Sequence, residues 1–192
     1  TPLTAIRGYN SFLAESVTIS EKEKTFVTTI QHSTDRLLAL VNDFLEVARI
    51  QSGKMDIEKV AVDVQPIIMS VVEALQPIAR EKNLQLSFHK LAIPTALHTD
   101  SKRMYQILQN LISNSLKYTK EGSVEITVDA TPKVVSIRIK DTGMGITAED
   151  QQKLFAPFSR VGGVEKSTVP GTGLGMWITK QLVEALGGSI TV

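Results

Sequence analysis

Pro170-Gly171-Thr172-Gly173-Leu174-Gly175-Met176 runs without a break into Trp177-Ile178-Thr179-Lys180-Gln181-Leu182-Val183, and the way this stretch folds decides what must surround it. Three glycines at alternate positions let a backbone come close to a ligand and adopt angles that side-chained residues avoid. Met176, Ile178, Val183 and Leu186 then fall at helical spacing, so the glycines stand where a helix begins. A helix N-terminus has unpaired N–H groups and a partial positive charge, which together favour an anion such as phosphate. Taken alone, the pattern fits a tight turn before a helix equally well. The residues upstream separate the two readings.

The segment just before it, Val161 to Pro170, has almost no core-forming pattern, as a mobile loop over a ligand would. Before that, Leu154-Phe155-Ala156-Pro157-Phe158-Ser159-Arg160 sets two aromatics beside an arginine. The phenylalanines read as core packing, whereas Arg160 is placed to stabilise a transferring phosphoryl group. Asp141-Thr142-Gly143-Met144-Gly145-Ile146 leaves an alternating strand at Ile137–Ile139. A tight turn explains it, but so does a carboxylate accepting a hydrogen bond from an exocyclic amine such as that of adenine, with glycines letting the base lie against the backbone.

The helix expected from Ser101 to Tyr118 divides into two arcs at about 100° per residue. Met104, Leu108, Leu111, Ile112 and Leu116 fill one, while Gln106, Asn110, Asn114 and Lys117 gather on the other, with Tyr118 at its margin. This could be an ordinary wet face, yet asparagine is a poor helix former, and two of them four apart are odd choices for plain solvent. Asparagine oxygens can ligate Mg²⁺, a cation that shares its shell with substrate phosphates. Lys117 could then hold a phosphate as a point charge.

Elsewhere the chain reads as helices first and a mixed α/β arrangement after. Leu3, Ile6, Tyr9, Leu13 and Val17 keep helical spacing behind Pro2. Ser20-Glu21-Lys22-Glu23 reads as a capping box, opening a second helix of about thirty residues that ends at Gln51-Ser52-Gly53. Two such helices cannot bury their apolar stripes in one hairpin, so an antiparallel hairpin that pairs with a second copy into a four-helix bundle is expected. Lys54–Val62 reads as a strand or linker, Asp63 as the cap of a helix that stops near Asn83. Leu84–Phe88, Ala96–Thr99, Val124–Val128 and Val134–Ile139 alternate as strands, and a closing strand is expected from Ser189. The fold class is therefore α+β: residues 1–53 a helical hairpin, and 54–192 an α/β sandwich with helices on one face of a mixed sheet.

Composition narrows the function. With 192 residues and 42% apolar content, one large or two small packed domains fit. A formal charge of +1 gives no electrostatic case for nucleic acid or a polybasic membrane contact. The absence of cysteine excludes disulfides, thiolate metal sites and cysteine nucleophiles. No run approaches the ~20 apolar residues that span a bilayer, so a soluble, cytoplasmic piece is expected. Both ends look cut, with no initiator Met at Thr1 and a stop within Ile190-Thr191-Val192.

In this order and spacing, the chain resembles the sensor histidine kinases of two-component signalling over essentially its whole length. The N box of that family matches Asn110-Leu111-Ile112-Ser113-Asn114-Ser115-Leu116-Lys117-Tyr118, and the first glycine box Asp141-Thr142-Gly143-Met144-Gly145. The F box matches Phe155-Ala156-Pro157-Phe158, and the second glycine box Gly171-Thr172-Gly173-Leu174-Gly175. The resemblance implies a Bergerat-type ATP-binding domain with Asn114 and Asn110 at Mg²⁺. It implies Lys117, Tyr118 and Arg160 near phosphates, Asp141 on adenine, Gly143, Gly145, Phe158 and the second glycine box around the nucleotide, and 161–170 as the lid. It also makes the hairpin the dimerisation and phosphotransfer element, with a response-regulator receiver as partner and, commonly in the family, a full-length protein anchored in the inner membrane.

Two departures stand out. The family motif H-E-x-x-T/N-P is present only from its Thr-Pro, Thr1-Pro2, which puts the phosphoaccepting histidine just upstream of Thr1. His32, His89 and His98 do not replace it by motif and read as surface or packing residues, while Thr1 matches the position that helps dephosphorylate the response regulator. Ser159 stands where relatives often have an aromatic before the arginine. The related ATPases (gyrase-type topoisomerases, heat-shock chaperones, mismatch-repair proteins) carry a Glu base four residues before the metal-binding Asn. Here that position is Asn110, which cannot take a proton, and this argues against simple hydrolysis.

Overall fold

The computed structural model describes residues 2–15, 20–53, 55–92, 95–131, 134–159 and 171–192. The chain divides into two compact units, Thr1–Lys54 and Met55–Val192.

In the first unit, α1 (Pro2–Ala14) and α2 (Glu21–Gln51) form an antiparallel hairpin. The Ser20 hydroxyl accepts from the Glu23 N–H at 3.4 Å, and the Glu23 carboxylate accepts from the Ser20 N–H at 2.7 Å, closing the capping box. The Ser20 hydroxyl and then its backbone N–H hold the Glu23 carboxyl below the usual carboxylate range. The helices meet over a narrow and partly polar seam. Asn10 Nδ2 donates to the Val27 carbonyl at 2.7 Å and to Gln31 Oε1 at 2.9 Å, and Arg7 pairs with Asp35 at 3.9 Å. Asn10, Val27 and Thr34 are buried, while Phe12 is 73% exposed and Phe44 67%, with Tyr9, Phe26, Leu37 and Leu45 exposed beside them. A hairpin whose largest apolar side chains face outward has its core elsewhere.

The second unit runs β1 (Val60–Asp63), α3 (Val64–Glu81), β2 (Gln85–His89), β3 (Ala96–Thr99), α4 (Ser101–Tyr118), β4 (Ser123–Ala130), β5 (Val135–Asp141), α5 (Ala148–Lys153) and α6 (Gly175–Ala185). β1 and β3 form an antiparallel pair, and a second sheet has the order β2-β4-β5, parallel between β2 and β4 and antiparallel between β4 and β5. Val124, Ile126 and Val128 alternate inward from β4 and meet Ile68, Val71 and Leu75 of α3 and Leu108, Ile112 and Leu116 of α4. The mixed sheet with helices on one face is as the sequence led us to expect.

Caps set the helix starts. Asp63 Oδ1 accepts from the Gln65 N–H at 3.1 Å, and Asp100 Oδ1 from the N–H groups of Lys102 and Arg103 at 2.9 and 3.1 Å. Asp100 Oδ2 also accepts from the Glu58 N–H at 3.0 Å. Burial pushes the Asp100 carboxyl up, but these three N–H groups and the Arg103 charge together hold it below its ordinary value.

The segment read as a strand or linker is both, irregular over 55–59 and strand from Val60, where Thr99 of β3 faces it. Two expectations are corrected. Residues 189–192 form no strand, since they pair with no described strand and alternation alone does not make a ladder. Ile107, which the two-arc reading left out, is 5% exposed, so α4 is buried on a second side as well.

Candidate functional site

That second side of α4 faces α6. Ile107 lies three residues before Asn110 and seven before Asn114, on the same stripe, so the asparagine face is a packing face and not a wet one. Asn110 Nδ2 donates to Thr179 Oγ1 of α6 at 2.7 Å. Asn114 Nδ2 donates to Asn110 Oδ1 at 3.4 Å and lies 3.5 Å from the Met176 sulfur. Both asparagines are half-buried, and Thr179 is buried.

The second glycine box is built around these side chains. A Cβ on Gly175 would stand 2.8 Å from Asn110 Oδ1, and one on Gly171 would stand 3.1 Å from Lys117 Nζ. Gly173 has φ +75°, and a Cβ there would meet the Phe158 carbonyl carbon at 2.9 Å. Phe158 is itself left-handed at φ 60° and 72% exposed, which corrects its reading as a core residue. Phe155 is half-buried, with Lys180 Nζ 5.8 Å from its ring centre. Helices α2 to α5 all start on a side-chain cap, whereas α6 starts at Leu174 with none. Its first N–H groups are thus left to whatever lies in front of the helix.

Lys117 Nζ sits 5.2 Å from the ring centre of Tyr118, which is 38% exposed. The helix end that carries both is fixed from beneath. Lys82 Nζ donates to the carbonyls of Leu116, Lys117 and Thr119, the latter two at 3.2 and 3.0 Å. The turn after β5 is tied to the same end: a Cβ on Gly143 would meet the Tyr118 carbonyl oxygen at 2.9 Å. Asp141 is exposed, not enclosed, and its Oδ1 accepts from the Gly143 N–H at 2.9 Å. Thr142 Oγ1 donates to the Glu121 carbonyl and accepts from the Ser123 N–H, both at 3.0 Å, and so pins this turn to the α4–β4 turn. Gly145, at φ +70°, has open space where a Cβ would be.

The structure therefore gathers Asn110, Asn114, Lys117, Tyr118, Gly171, Thr172, Gly173, Leu174 and Gly175 at the α4–α6 junction, with Asp141 and Gly143 against the end of α4. Arg160, Thr1 and the expected lid at 161–170 lie outside the described residues. His32, His89 and His98 are exposed, and His89 pairs with Glu125 at 2.8 Å. Sequence reasoning missed Met176, Thr179, Thr142 and Lys82 as partners of the site. Thr179 was legible only as one more residue of α6, because its bond to Asn110 spans 69 positions.

A nucleotide with a divalent cation fits this donor set. Amide oxygens suit a hard cation, a lysine and an uncapped helix start suit phosphates, and the glycines leave room that a Cβ would fill. Among the described residues no three His, Cys, Asp or Glu side chains gather as a metal site, so a cation here would share its shell with the ligand. No described helix is long and apolar enough to cross a membrane.

Comparison with known proteins gives two family matches. Residues 1–53 match the His Kinase A (phospho-acceptor) domain, and residues 99–192 the histidine kinase-, DNA gyrase B-, and HSP90-like ATPase family. The sensor protein GacS of Pseudomonas syringae pv. syringae is 34% identical over 198 residues, covering 100% of this chain and 22% of its own length. The autoinducer 2 sensor kinase/phosphatase LuxQ of Vibrio vulnificus is 34% identical over 199 residues, covering 100% of this chain and 23% of itself. The crystal structure of full-length ShkA in complex with AMPPNP superposes with a TM-score of 0.78 at 28% identity, over 97% of this chain and 38% of ShkA. The chain thus spans less than a quarter of the length of these two curated relatives.

Proposed function

The chain belongs to the sensor histidine kinases, and from that membership we propose that it is the ATP-dependent kinase core of a two-component system. In this reading the γ-phosphoryl of ATP passes to a histidine just upstream of Thr1 and onward to a response-regulator aspartate. Residues 1–53 are the dimerisation and phosphotransfer hairpin, and 54–192 the ATP-binding domain. One observation carries the reading: two asparagine amides and Lys117 are brought against the glycine-rich, uncapped start of α6.

The roles follow from the side chains. Asn114, backed by Asn110, offers its amide oxygen to Mg²⁺, and Lys117 with Tyr118 lines the phosphate side. Arg160 adds charge there, the α6 N-terminus receives a phosphate oxygen, and Asp141 takes the adenine amine through its remaining oxygen. Gly143, Gly145 and the Gly171–Gly175 turn admit the nucleotide against the backbone, with the Phe158 ring beside it. When bound, Mg²⁺ would offset charge on the transferring phosphoryl group. The chain's own contribution is alignment and electrostatic stabilisation, with no proton taken by Asn110. The LuxQ relative is named a kinase/phosphatase, and a phosphatase role for Thr1 belongs to this proposal.

The exposed apolar face of the hairpin supports a homodimer, with Phe12, Phe26, Phe44 and Leu45 covered by the second copy. A response-regulator receiver is the partner, and the charge of +1 gives no case for nucleic acid. The piece works in the cytoplasm, on a full-length protein held at the inner membrane.

The test is incubation with γ-labelled ATP and Mg²⁺, on this chain and on one extended upstream through the H-E-x-x motif. Acid-labile label on the extended chain alone is the expected result. Steady release of phosphate without any histidine label would favour the hydrolytic relatives, and no label on either chain despite bound ATP would overturn the kinase reading.

A further inference from the structure

Thr179 has no part in the reading above, yet it makes a short polar contact across the α4–α6 junction. The residue is 1% exposed, and its hydroxyl lies 2.7 Å from Asn110 Nδ2. A threonine hydroxyl can donate or accept, so it does not by itself choose which way round the Asn110 amide sits. Two neighbours make that choice. Asn114 Nδ2 donates to Asn110 Oδ1 at 3.4 Å, and the Met176 sulfur, a weak acceptor, lies 4.0 Å from Asn110 Nδ2 and 3.5 Å from Asn114 Nδ2. Reversing the Asn110 amide alone would set two NH₂ groups face to face, and reversing both amides would turn two oxygens toward the sulfur. Gly175 closes the other side, since a Cβ there would press on Asn110 Oδ1 at 2.8 Å.

The result is a directed relay from Asn114 Nδ2–H to Asn110 Oδ1, and from Asn110 Nδ2–H to Thr179 Oγ1. Both amide nitrogens are turned into the protein, and Asn114 Oδ1 is the oxygen that the relay does not use. We propose that Thr179 is a positioning residue that, acting through Asn110, fixes the direction in which Asn114 presents its oxygen to a divalent cation. The proposal rests on the cation role given to Asn114 above. Groups that orient a metal ligand from behind typically change metal affinity by about 10- to 100-fold when removed.

The test uses Thr179→Val, which keeps the β-branched shape and deletes the hydroxyl, with Thr179→Ser as rescue. AMPPNP affinity is measured by calorimetry in Mg²⁺ and in EDTA on each protein. The expected outcome is that T179V loses about 10-fold of the Mg²⁺-dependent gain in affinity, keeps its affinity in EDTA, and that T179S regains the gain. The ligand-free protein gives a second readout: the ¹⁵N side-chain resonances of Asn110 should move in T179V and return in T179S. An equal loss with and without Mg²⁺ would mark a merely structural threonine and overturn the proposal, as would a wild-type Mg²⁺ gain or an unmoved Asn110 resonance in T179V. A wild-type protein that gains nothing from Mg²⁺ would bring down the cation role of Asn114 itself, and this proposal with it.

Discussion

Gly175→Ala should separate the site from the fold more cleanly than any other single change. The added Cβ would arrive 2.8 Å from Asn110 Oδ1 and 3.3 Å from its Nδ2, so the amide must withdraw by about half an ångström or more to reach ordinary contact. Withdrawal stretches the 2.7 Å bond to Thr179, a loss of about 1 kcal/mol for one hydrogen bond. Against this, alanine is favoured over glycine in a helix by up to ~1 kcal/mol, and Gly175 is the first residue of α6 at ordinary φ. The two nearly cancel, so the melting temperature should stay within about 3 °C of wild type. Nucleotide affinity in Mg²⁺ should nevertheless fall about tenfold, because the amide that supports Asn114 has been pushed aside. Differential scanning calorimetry and AMPPNP titration on the same preparation decide the matter. Wild-type affinity at a preserved melting temperature would refute the view that Gly175 is glycine for the sake of Asn110.

Other outcomes test neighbouring parts. Gly145→Ala should cost about 1 kcal/mol from its left-handed φ alone, whereas Gly173→Ala should cost clearly more, since its Cβ also meets the Phe158 backbone; equal losses in urea unfolding would deny the Gly173 contact. The depressed Asp100 carboxyl adds stability that is full above its unfolded pKa of about 3.9 and is lost as pH falls through its lower folded value. Asp100→Asn places an NH₂ against an N–H partner and should therefore cost about 1–2 kcal/mol at pH 7 and flatten the acid limb; an unchanged limb by circular dichroism would show that other carboxylates govern it.

Much of this architecture can be read from local chemistry. Ser20, Asp63 and Asp100 announce their helices because a cap needs only its own next two or three residues. The strands at 85–89, 96–99, 123–130 and 135–141 carry their alternation in plain view. A ladder partner, by contrast, is a property of two distant segments, which is why 189–192 reads as a strand that it does not form. Ile107 could have been found: it shares the stripe of Asn110 and Asn114, and an isoleucine there argues that the stripe packs. The left-handed Phe158 could not, since nothing in Phe155-Ala156-Pro157-Phe158 requires a positive φ.

The parallel pairing of β2 with β4 also bears on how the molecule comes to exist. Hairpin α1–α2 and the β4–β5 ribbon join segments that are close along the chain, but Gln85 can face Ser123 only after β3 and α4 have been threaded between them. Loop closure over that distance costs entropy before any contact compensates for it, so this ladder belongs to the slow part of folding. α4 lies inside the closing loop and bears both asparagines. A nascent or partly refolded chain thus orders the α4 half of its site and this parallel ladder in the same event, and recovery of nucleotide binding after denaturant dilution should come no earlier than the slowest β-structure signal.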